Sequence, residues 1–200
     1  MRPRALLPAV AAPIAFFGAS IIGGRRVRDY RHRDEPMSAL AASGCEGAPA
    51  MVPGFIALAA STWVLGGALS GSRLPKSIGP WMRVTGAGIL VAGLARQSDR
   101  SCPVRFNGDE NVTISDDLHV LSAMVVFGSW IAMPLFVAAR GRELPSRQRR
   151  ASLALGLAAL AGQTGTGALM SRNAEKWGGV AQRVSVASAL AWYSVAALSA

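Results

Sequence analysis

The amino-acid sequence predicts an all-α membrane bundle of six transmembrane helices, in a single domain that covers residues 1–200. Hydrophobic residues make up 51% of the chain and charged residues only 16%, whereas soluble domains average about 25% charged residues. The apolar residues form long uncharged runs, and a helix needs roughly 20 of them in succession to cross a membrane. Most basic and acidic residues lie between these runs, which is typical of a polytopic membrane protein.

The uncharged runs define the spans in chain order. The first run follows Met-Arg-Pro-Arg and resembles a secretory signal peptide, but it lacks a clean cleavage site before Arg25, so we interpret it as a retained span. The third run is short, and it crosses the membrane if its flanking arginines extend to the interface. The six predicted spans cover residues 5–24, 51–70, 81–97, 118–139, 151–170 and 180–200.

The net charge of +10 does not indicate a nucleic-acid-binding protein, because the basic residues lie between apolar spans. Basic loops suit anionic lipid headgroups and control orientation. Residues 140–150 carry five arginines against one glutamate, which favours the cytoplasmic side for this loop. We therefore expect a multi-pass protein of the cell membrane with both termini in the cytoplasm, although the arginines at positions 25, 26 and 28 favour the opposite orientation.

The two cysteines of the chain, Cys45 and Cys102, fall in the two longest loops of the outer side in this topology. A disulfide is chemically permitted outside the cytoplasm, and this one would join the first loop to the third. The alternative is a pair of unbridged thiols.

The mouth of the fourth span carries the ionisable residues Asp116, Asp117 and His119. Such groups are costly at a membrane span and are candidates for function. Asp116 and His119 are three residues apart, so an acid–base pair is geometrically feasible. The structural alternative is also strong, because Ser115 is a suitable N-cap and both aspartates complement the helix dipole.

Other polar residues point to a bundle interior near this mouth. His119 shares one helical face with Ser122, Val126, Ser129 and Met133. Polar side chains in spans usually hydrogen-bond between helices, but together these residues suggest a polar pocket open at the outer face. The candidate substrate-binding residues are Arg96, Gln97, Ser122, Gln163, Gln182 and Arg183.

The first loop adds Ser38 as a candidate nucleophile with His119 as its base, although the chain contains no nucleophile-elbow motif. Glu35 and Ser38 also fit a capping pair for a short interfacial helix. The two histidines and two cysteines match no zinc-ligand spacing, and no haem, P-loop or dinucleotide motif is present. The sequence therefore predicts neither a metal nor a cofactor.

Several short motifs carry a resemblance to a known family. They are Tyr30 followed by Pro36-Met37-Ser38-Ala39-Leu40, a span opening with Gly54-Phe55, Asp117-Leu118-His119 with Ala123, and Gly179-Val180-Ala181-Gln182-Arg183 before Trp192. This pattern resembles the six-span bacterial membrane proteins of the domain of unknown function 998 family. The resemblance implies six helices and a shared outer-face site around Ser38, His119 and Arg183, and it implies no activity. The chain departs from the family pattern at Ala41, where a glycine is usual.

Three functions fit these observations. The first is an enzyme for a lipid or isoprenoid-like substrate, for example a hydrolase or cyclase, with Asp116 or Asp117 as acid or base and His119 as proton shuttle. Arg96 or Arg183 would then hold an anionic headgroup. The second is a non-catalytic lipid- or ligand-binding or assembly subunit, and the third is a transporter. The expected partners are membrane lipid and an apolar or isoprenoid-like small molecule; a homo-oligomer is compatible with these functions, and nucleic acid is excluded.

Overall fold

The computed structural model describes residues 3–100, 112–171 and 177–199. These residues form α-helices and one short 3-10 helix, Met37–Ala41, and contain no strand. The all-α prediction is therefore confirmed. The α-helices are α1 Pro3–Arg26, α2 Ala48–Ala68, α3 Ile78–Leu94, α4 Ile114–Arg140, α5 Ser146–Ser171 and α6 Gly178–Ala197.

The helices form a closed ring in which each packs against the next along the chain and α6 returns to α1. Successive helices run in opposite directions; the connections 69–77 and 141–145 are short, whereas residues 27–47 and 95–113 form longer ones. One end of the bundle therefore carries the segment 27–47, named loop one, together with the end of α3 and the starts of α4 and α6. We call this the loop-one end. The opposite end, which carries the start of α1 and the end of α6, is the termini end.

Three helical segments are long and apolar enough to cross a membrane, namely Leu6–Arg26, Ala48–Ala68 and Ile114–Arg140. The helix Ile78–Leu94 is apolar but shorter. These lengths and compositions are typical of a membrane protein, because a span needs about 20 residues at a rise of about 1.5 Å per residue.

Small residues set the distance between neighbouring helices. A Cβ atom added at Gly66 of α2 would lie 2.7 Å from the carbonyl oxygen of Gly79 in α3, and the reverse substitution gives the same distance. A Cβ at Gly162 of α5 would lie 2.6 Å from the backbone nitrogen of Ser185 in α6. These glycines allow close backbone approach, whereas a Cβ at Gly167 would meet nothing within 4 Å.

A hydrogen-bonded group of aromatic and hydroxyl side chains occupies the centre of the ring. The hydroxyl of Tyr193 in α6 accepts a bond of 2.9 Å from the indole N–H of Trp130 in α4. The same hydroxyl shares a bond of 3.1 Å with the hydroxyl of Thr62 in α2. Tyr193 and Thr62 are fully buried, so this group ties α2, α4 and α6 together away from water.

We expect Tyr193→Phe to lower the free energy of unfolding by about 1–3 kcal/mol, because it leaves the Trp130 N–H without its acceptor in the core. Thermal unfolding of the detergent-solubilised protein measures this loss. The matched control is Ile56→Val, at an exposed position of α2, which should change the melting temperature little. An unchanged melting temperature in Tyr193→Phe would contradict the role of this group.

The helix boundaries differ by a few residues from the predicted spans, and two of these differences concern candidate site residues. The third helix ends at Leu94, so Arg96 and Gln97 lie beyond it and not inside a span. The fourth helix begins at Ile114 with Thr113 as its N-cap, so the predicted N-cap, Ser115, is wrong. The reason is local, since Thr113 forms a reciprocal capping box with Asp116, whereas the Ser115 hydroxyl donates to the Arg96 carbonyl at 2.7 Å.

Candidate functional site

The middle of loop one, residues 37–42, is packed into the bundle, whereas both of its ends carry exposed residues. Met37, Ala39, Leu40 and Ala41 of the 3-10 helix are at most 2% exposed. This helix contacts α1, α2 and α6. The predicted short helix is therefore present, but it is buried and its N-cap is Pro36, without a side-chain cap. Two arginines from other helices hold the two ends of this segment.

Arg183 of α6 holds the first half of loop one. Its Nη1 donates to the carbonyl oxygens of His32 and Glu35, the latter at 3.0 Å. Its Nη2 donates to the Tyr30 hydroxyl at 2.8 Å and to Nδ1 of His32 at 3.0 Å. A Cβ at Gly179 would collide with the same two carbonyl oxygens. A glycine at position 179 therefore lets α6 approach loop one closely enough for the arginine to reach.

Tyr30 lies at the centre of this group. Burial raises the pKa of its hydroxyl, against the opposing effect of Arg183, so the hydroxyl stays protonated and donates to the Pro36 carbonyl at 3.1 Å. The guanidinium carbons of Arg100 and Arg183 lie 5.9 Å and 6.0 Å from the centre of its ring. Both arginines therefore make cation–π contacts with one tyrosine.

Carboxylates balance part of the positive charge here. Glu35 forms an ion pair with Arg100 and accepts a bond of 3.0 Å from the Arg31 backbone N–H. Asp34 pairs with Arg33 at 2.8 Å, and the hydrogen bond from Arg33 holds the pKa of that carboxyl below its usual value. Asp34 also accepts from the backbone N–H of Trp177 at 3.1 Å, which fixes loop one at the start of α6.

Arg96 holds the second half of loop one from the end of α3. Its Nε and Nη2 donate to the carbonyl oxygens of Ala41 and Ala42 at 2.9 Å and 2.7 Å. The Gln97 carbonyl accepts from the Ser43 N–H at 2.8 Å. The predicted binding residues Arg96 and Gln97 therefore join loop one to the junction between α3 and α4.

Asp116 completes that junction from α4. Its side chain is buried and accepts from the backbone N–H groups of Ser98 at 2.7 Å and Thr113 at 2.9 Å. The Thr113 hydroxyl bonds it at 2.6 Å. Both carboxylate oxygens of Asp116 are thus engaged in fixing the start of α4. Asp117, partly buried in the same turn, complements the helix dipole.

His119 faces α3 and is 3% exposed. Its Nδ1 lies 2.8 Å from the Ala92 carbonyl oxygen and 3.1 Å from the Ala95 carbonyl oxygen. Both partners are acceptors, so Nδ1 carries the proton and donates to them. The histidine thereby satisfies carbonyl groups that the end of a helix leaves without partners.

The predicted site residues fall into two separate groups. Arg183, Gln182 and Ser38 lie around loop one and α6, where the Gln182 side chain accepts from the Met37 N–H at 2.7 Å. Asp116, Asp117 and His119 lie at the α3–α4 junction, and the hydrogen bonds do not bring His119 to Ser38. Cys102 lies outside the described residues, so the predicted bridge from Cys45 stays a prediction.

The inward polar residues of the spans are paired mostly with neighbouring helices. Ser129 accepts from the indole N–H of Trp81 at 3.0 Å, and Ser152 accepts from that of Trp192 at 3.0 Å. The Ser122 hydroxyl donates to the His119 carbonyl at 2.9 Å. In contrast, buried side-chain atoms of Gln97, Gln163 and Ser185 have no hydrogen-bond partner in the described structure.

Sequence reasoning missed the roles of Glu35, Arg100, Thr113 and Tyr193. The spacing of Thr113 and Asp116 is that of a capping box, and this signal identifies the start of α4 correctly. A tyrosine such as Tyr193 in an apolar run also signals a buried hydroxyl that needs a partner. Across the described ranges, no group of three or more His, Cys, Asp or Glu residues could hold a metal ion.

The contact between His32 and Arg183 predicts a pH dependence. Burial, and secondarily the Arg183 charge, lower the pKa of His32, so the folded state binds a proton less readily than the unfolded chain. The stabilisation is present above the ordinary histidine pKa of about 6.5 and is lost as pH falls below it. We expect trypsin to cut loop one faster at pH 5 than at pH 7.5, after correction for trypsin activity.

The matched variant for this test is His32→Asn, whose side-chain oxygen still accepts from Arg183 but does not titrate. It should flatten the pH dependence between about pH 7 and pH 5. His119, the other histidine of the chain, is present in both proteins and cancels in the comparison. Equal pH profiles for the two proteins would rule out His32 as the cause.

The comparisons with known proteins agree with the resemblance in the sequence. No curated protein and no solved structure matches the chain. A family model described as protein of unknown function (DUF998) matches residues 10–199. Because this match covers nearly the whole chain, the protein belongs to the DUF998 family.

Proposed function

We propose that this protein is a six-span membrane protein whose loop-one end binds lipid or a lipid-like ligand without catalysis. The observation that carries the proposal is that the predicted catalytic groups make structural hydrogen bonds. Asp116 and the Nδ1 atom of His119 are hydrogen-bonded to groups that fix α3 and α4. Catalysis requires an acid or base that reaches a substrate proton. Both oxygens of Asp116 already have structural partners, which leaves Nε2 of His119 as the atom of this pair that could act as a base.

The arginines support the same proposal. Arg183 donates to carbonyl oxygens of loop one, and Arg96 does likewise at the other end of the buried 3-10 helix. The result is a fixed cap, built from loop one, over one end of an apolar bundle. A fixed surface with an aromatic residue and basic side chains at its rim, such as Trp177 with Arg33 at 5.3 Å, suits the region of lipid headgroups.

The distribution of exposed apolar side chains supports six spans. Each of the six helices presents large hydrophobic residues outward, while polar residues such as Thr62, Ser129 and Ser152 are buried in the interior. Exposed examples, one for each helix in order, are Ile14, Ile56, Val84, Leu121, Leu157 and Val184. Contiguous exposed apolar surface of this extent is rare in soluble proteins and suits contact with lipid tails.

The charge distribution supports a cytoplasmic termini end. Exposed basic residues cluster there, with Glu143 the acidic residue among them, in residues 69–83 and 140–150. At the loop-one end, Arg33 and Arg100 are paired with carboxylates, and Arg96 and Arg183 bind backbone carbonyls, whereas Arg25, Arg26, Arg28 and Arg31 are exposed. The support for the termini end as the inner face therefore comes from residues 140–150, which carry five arginines against one glutamate in a short loop.

Cysteine labelling tests the number of spans. In a background with Cys45→Ser and Cys102→Ser, single cysteines replace Ser43 in loop one and Ser146 at the start of α5, both exposed. Six spans place these positions on opposite sides, and we expect an impermeant thiol reagent to label only position 43 in intact cells. If only α1, α2 and α4 crossed, both positions would be labelled from the same side.

Native mass spectrometry tests the binding role. We expect the purified full-length protein to retain lipid and to release it chemically unchanged after incubation with a defined phospholipid mixture. Analysis of the lipids by liquid chromatography and mass spectrometry detects any product. A product formed by the wild type and absent with His119→Asn would reinstate the enzyme hypothesis. Absence of retained lipid would overturn the binding proposal.

A further inference from the structure

Gln97 is a buried polar side chain without a partner at the loop-one end. It is 1% exposed, and within the described residues neither its Oε1 nor its Nε2 atom makes a hydrogen bond. Buried amides nearly always have partners, because an unsatisfied donor or acceptor keeps the cost of leaving water. A glutamine with both ends unsatisfied therefore indicates a hydrogen-bonding group that residues 3–100, 112–171 and 177–199 do not supply.

The backbone around Gln97 is fixed, so the side chain cannot simply leave its place. The Gln97 carbonyl binds the Ser43 N–H at 2.8 Å, and the Ser98 N–H binds Asp116 at 2.7 Å. On the other side, the Arg96 guanidinium holds Ala41 and Ala42, while its carbonyl accepts from Ser115 at 2.7 Å. Gln97 therefore sits where loop one, the end of α3 and the start of α4 meet.

The chemistry of the site selects the ligand. An amide offers an acceptor oxygen and a donor nitrogen side by side, and a hydroxyl, like a water molecule, both donates and accepts. Of the nearby charged side chains, Arg96 donates to two carbonyls and both oxygens of Asp116 accept hydrogen bonds. Arg100 pairs with Glu35 through Nη2, while its buried Nε has no partner in the described structure. Gln97 itself carries no charge, so the group that pairs with both ends of its amide is a neutral donor and acceptor such as a hydroxyl.

We propose that Gln97 is the recognition residue of a small subsite at this junction and that it binds a hydroxyl group of a polyol. The source is a lipid headgroup or a free polyol. This inference rests on the proposed binding role of the loop-one end. It names the group that the site selects and the residue that selects it.

Two lipids of equal charge form the test. Phosphatidylglycerol carries two headgroup hydroxyls, whereas phosphatidylmethanol carries none. We expect the wild-type full-length protein, given an equimolar mixture, to retain phosphatidylglycerol about fivefold better by native mass spectrometry, which is the ratio that one neutral hydrogen bond supplies. Gln97→Leu should abolish the preference. Gln148→Leu, at the termini end, should keep it.

Each outcome bears on the proposal. Loss of the preference when glycerol is added identifies a free polyol as a competing source and supports the same hydroxyl chemistry. Equal retention of both lipids by the wild type, or an unchanged preference in Gln97→Leu, overturns the subsite but leaves lipid binding standing. Retention of neither lipid contradicts the proposed function itself. If Gln97→Leu does not fold, Gln97→Met takes its place, because it preserves the unbranched shape.

Discussion

Arg183→Met should release loop one from α6 and lower the free energy of unfolding by about 3–5 kcal/mol, the largest effect that we expect from one substitution. The guanidinium donates to the carbonyl oxygens of His32, Glu35 and Gly179 and to the Tyr30 hydroxyl. Hydrogen bonds from a charged donor contribute about 1.5–3 kcal/mol each, and these bonds are lost together and not additively. Met retains the length of the side chain but donates nothing.

Two measurements report the result. The melting temperature in detergent should fall, and trypsin should cut faster after the exposed arginines of loop one, such as Arg28 and Arg31. Arg183→Lys should recover only part of the stability, because an ammonium does not reproduce the planar fork that spans several carbonyls. The control is Arg150→Met at an exposed site of the termini end, which should change neither measurement. If trypsin cut Arg183→Met as slowly as the wild type, Arg183 would not be what holds loop one against α6.

The helices are the part of this fold that the sequence predicts well. Their positions follow from uncharged runs, and their inward faces follow from helical spacing. Ser122, Ser129 and Met133 are all buried on one face of α4, as the spacing from His119 predicts. The inward polar residues of α5 and α6 behave similarly, for example Ser152 and Trp192, which bond each other at 3.0 Å.

The arrangement of loop one is much harder to predict. Arg183 and Arg96 bind backbone carbonyls, which every residue has, so no side-chain pattern marks the partner. The contacts also join distant positions, with Gln182 and Met37 separated by 145 residues. A charged residue near a span mouth therefore gives the same signal whether it binds a ligand or the chain's own backbone. For this reason the sequence identified Arg96 and Arg183 but not what they hold.

The polar residues around loop one and α6 are nevertheless connected to those at the α3–α4 junction. Arg183 fixes loop one at residues 32–35, and Arg96 fixes it at residues 41–42, on either side of the buried 3-10 helix. The Arg96 carbonyl in turn binds Ser115 of α4. Loop one thus connects α6 to the α3–α4 junction. A ligand at Gln97 would bind next to this connection and would stabilise the folded state by an amount that rises with the ratio of its concentration to its dissociation constant.

Substitutions of His119 distinguish most clearly between a structural and a catalytic role of the loop-one end. His119→Ala should lower the free energy of unfolding by about 2–4 kcal/mol, because it removes a donor to two carbonyls and leaves a cavity. His119→Asn should retain much more stability, since its amide nitrogen takes the position of Nδ1 and donates to the Ala92 carbonyl, which lies 2.8 Å from the imidazole.

Thermal unfolding of the two variants decides between the interpretations, because an amide replaces the donor but not the titrating imidazole. A structural role predicts that Asn rescues stability and that retained lipid is unaffected. A catalytic role predicts that both substitutions abolish turnover while stability changes little, as expected for a base that stays available to substrate. If Asn and Ala destabilised the protein equally, the Nδ1 bond would not be what holds α4 to α3. The group of Asp116, Thr113 and Ser98 would then be the main connection between these helices.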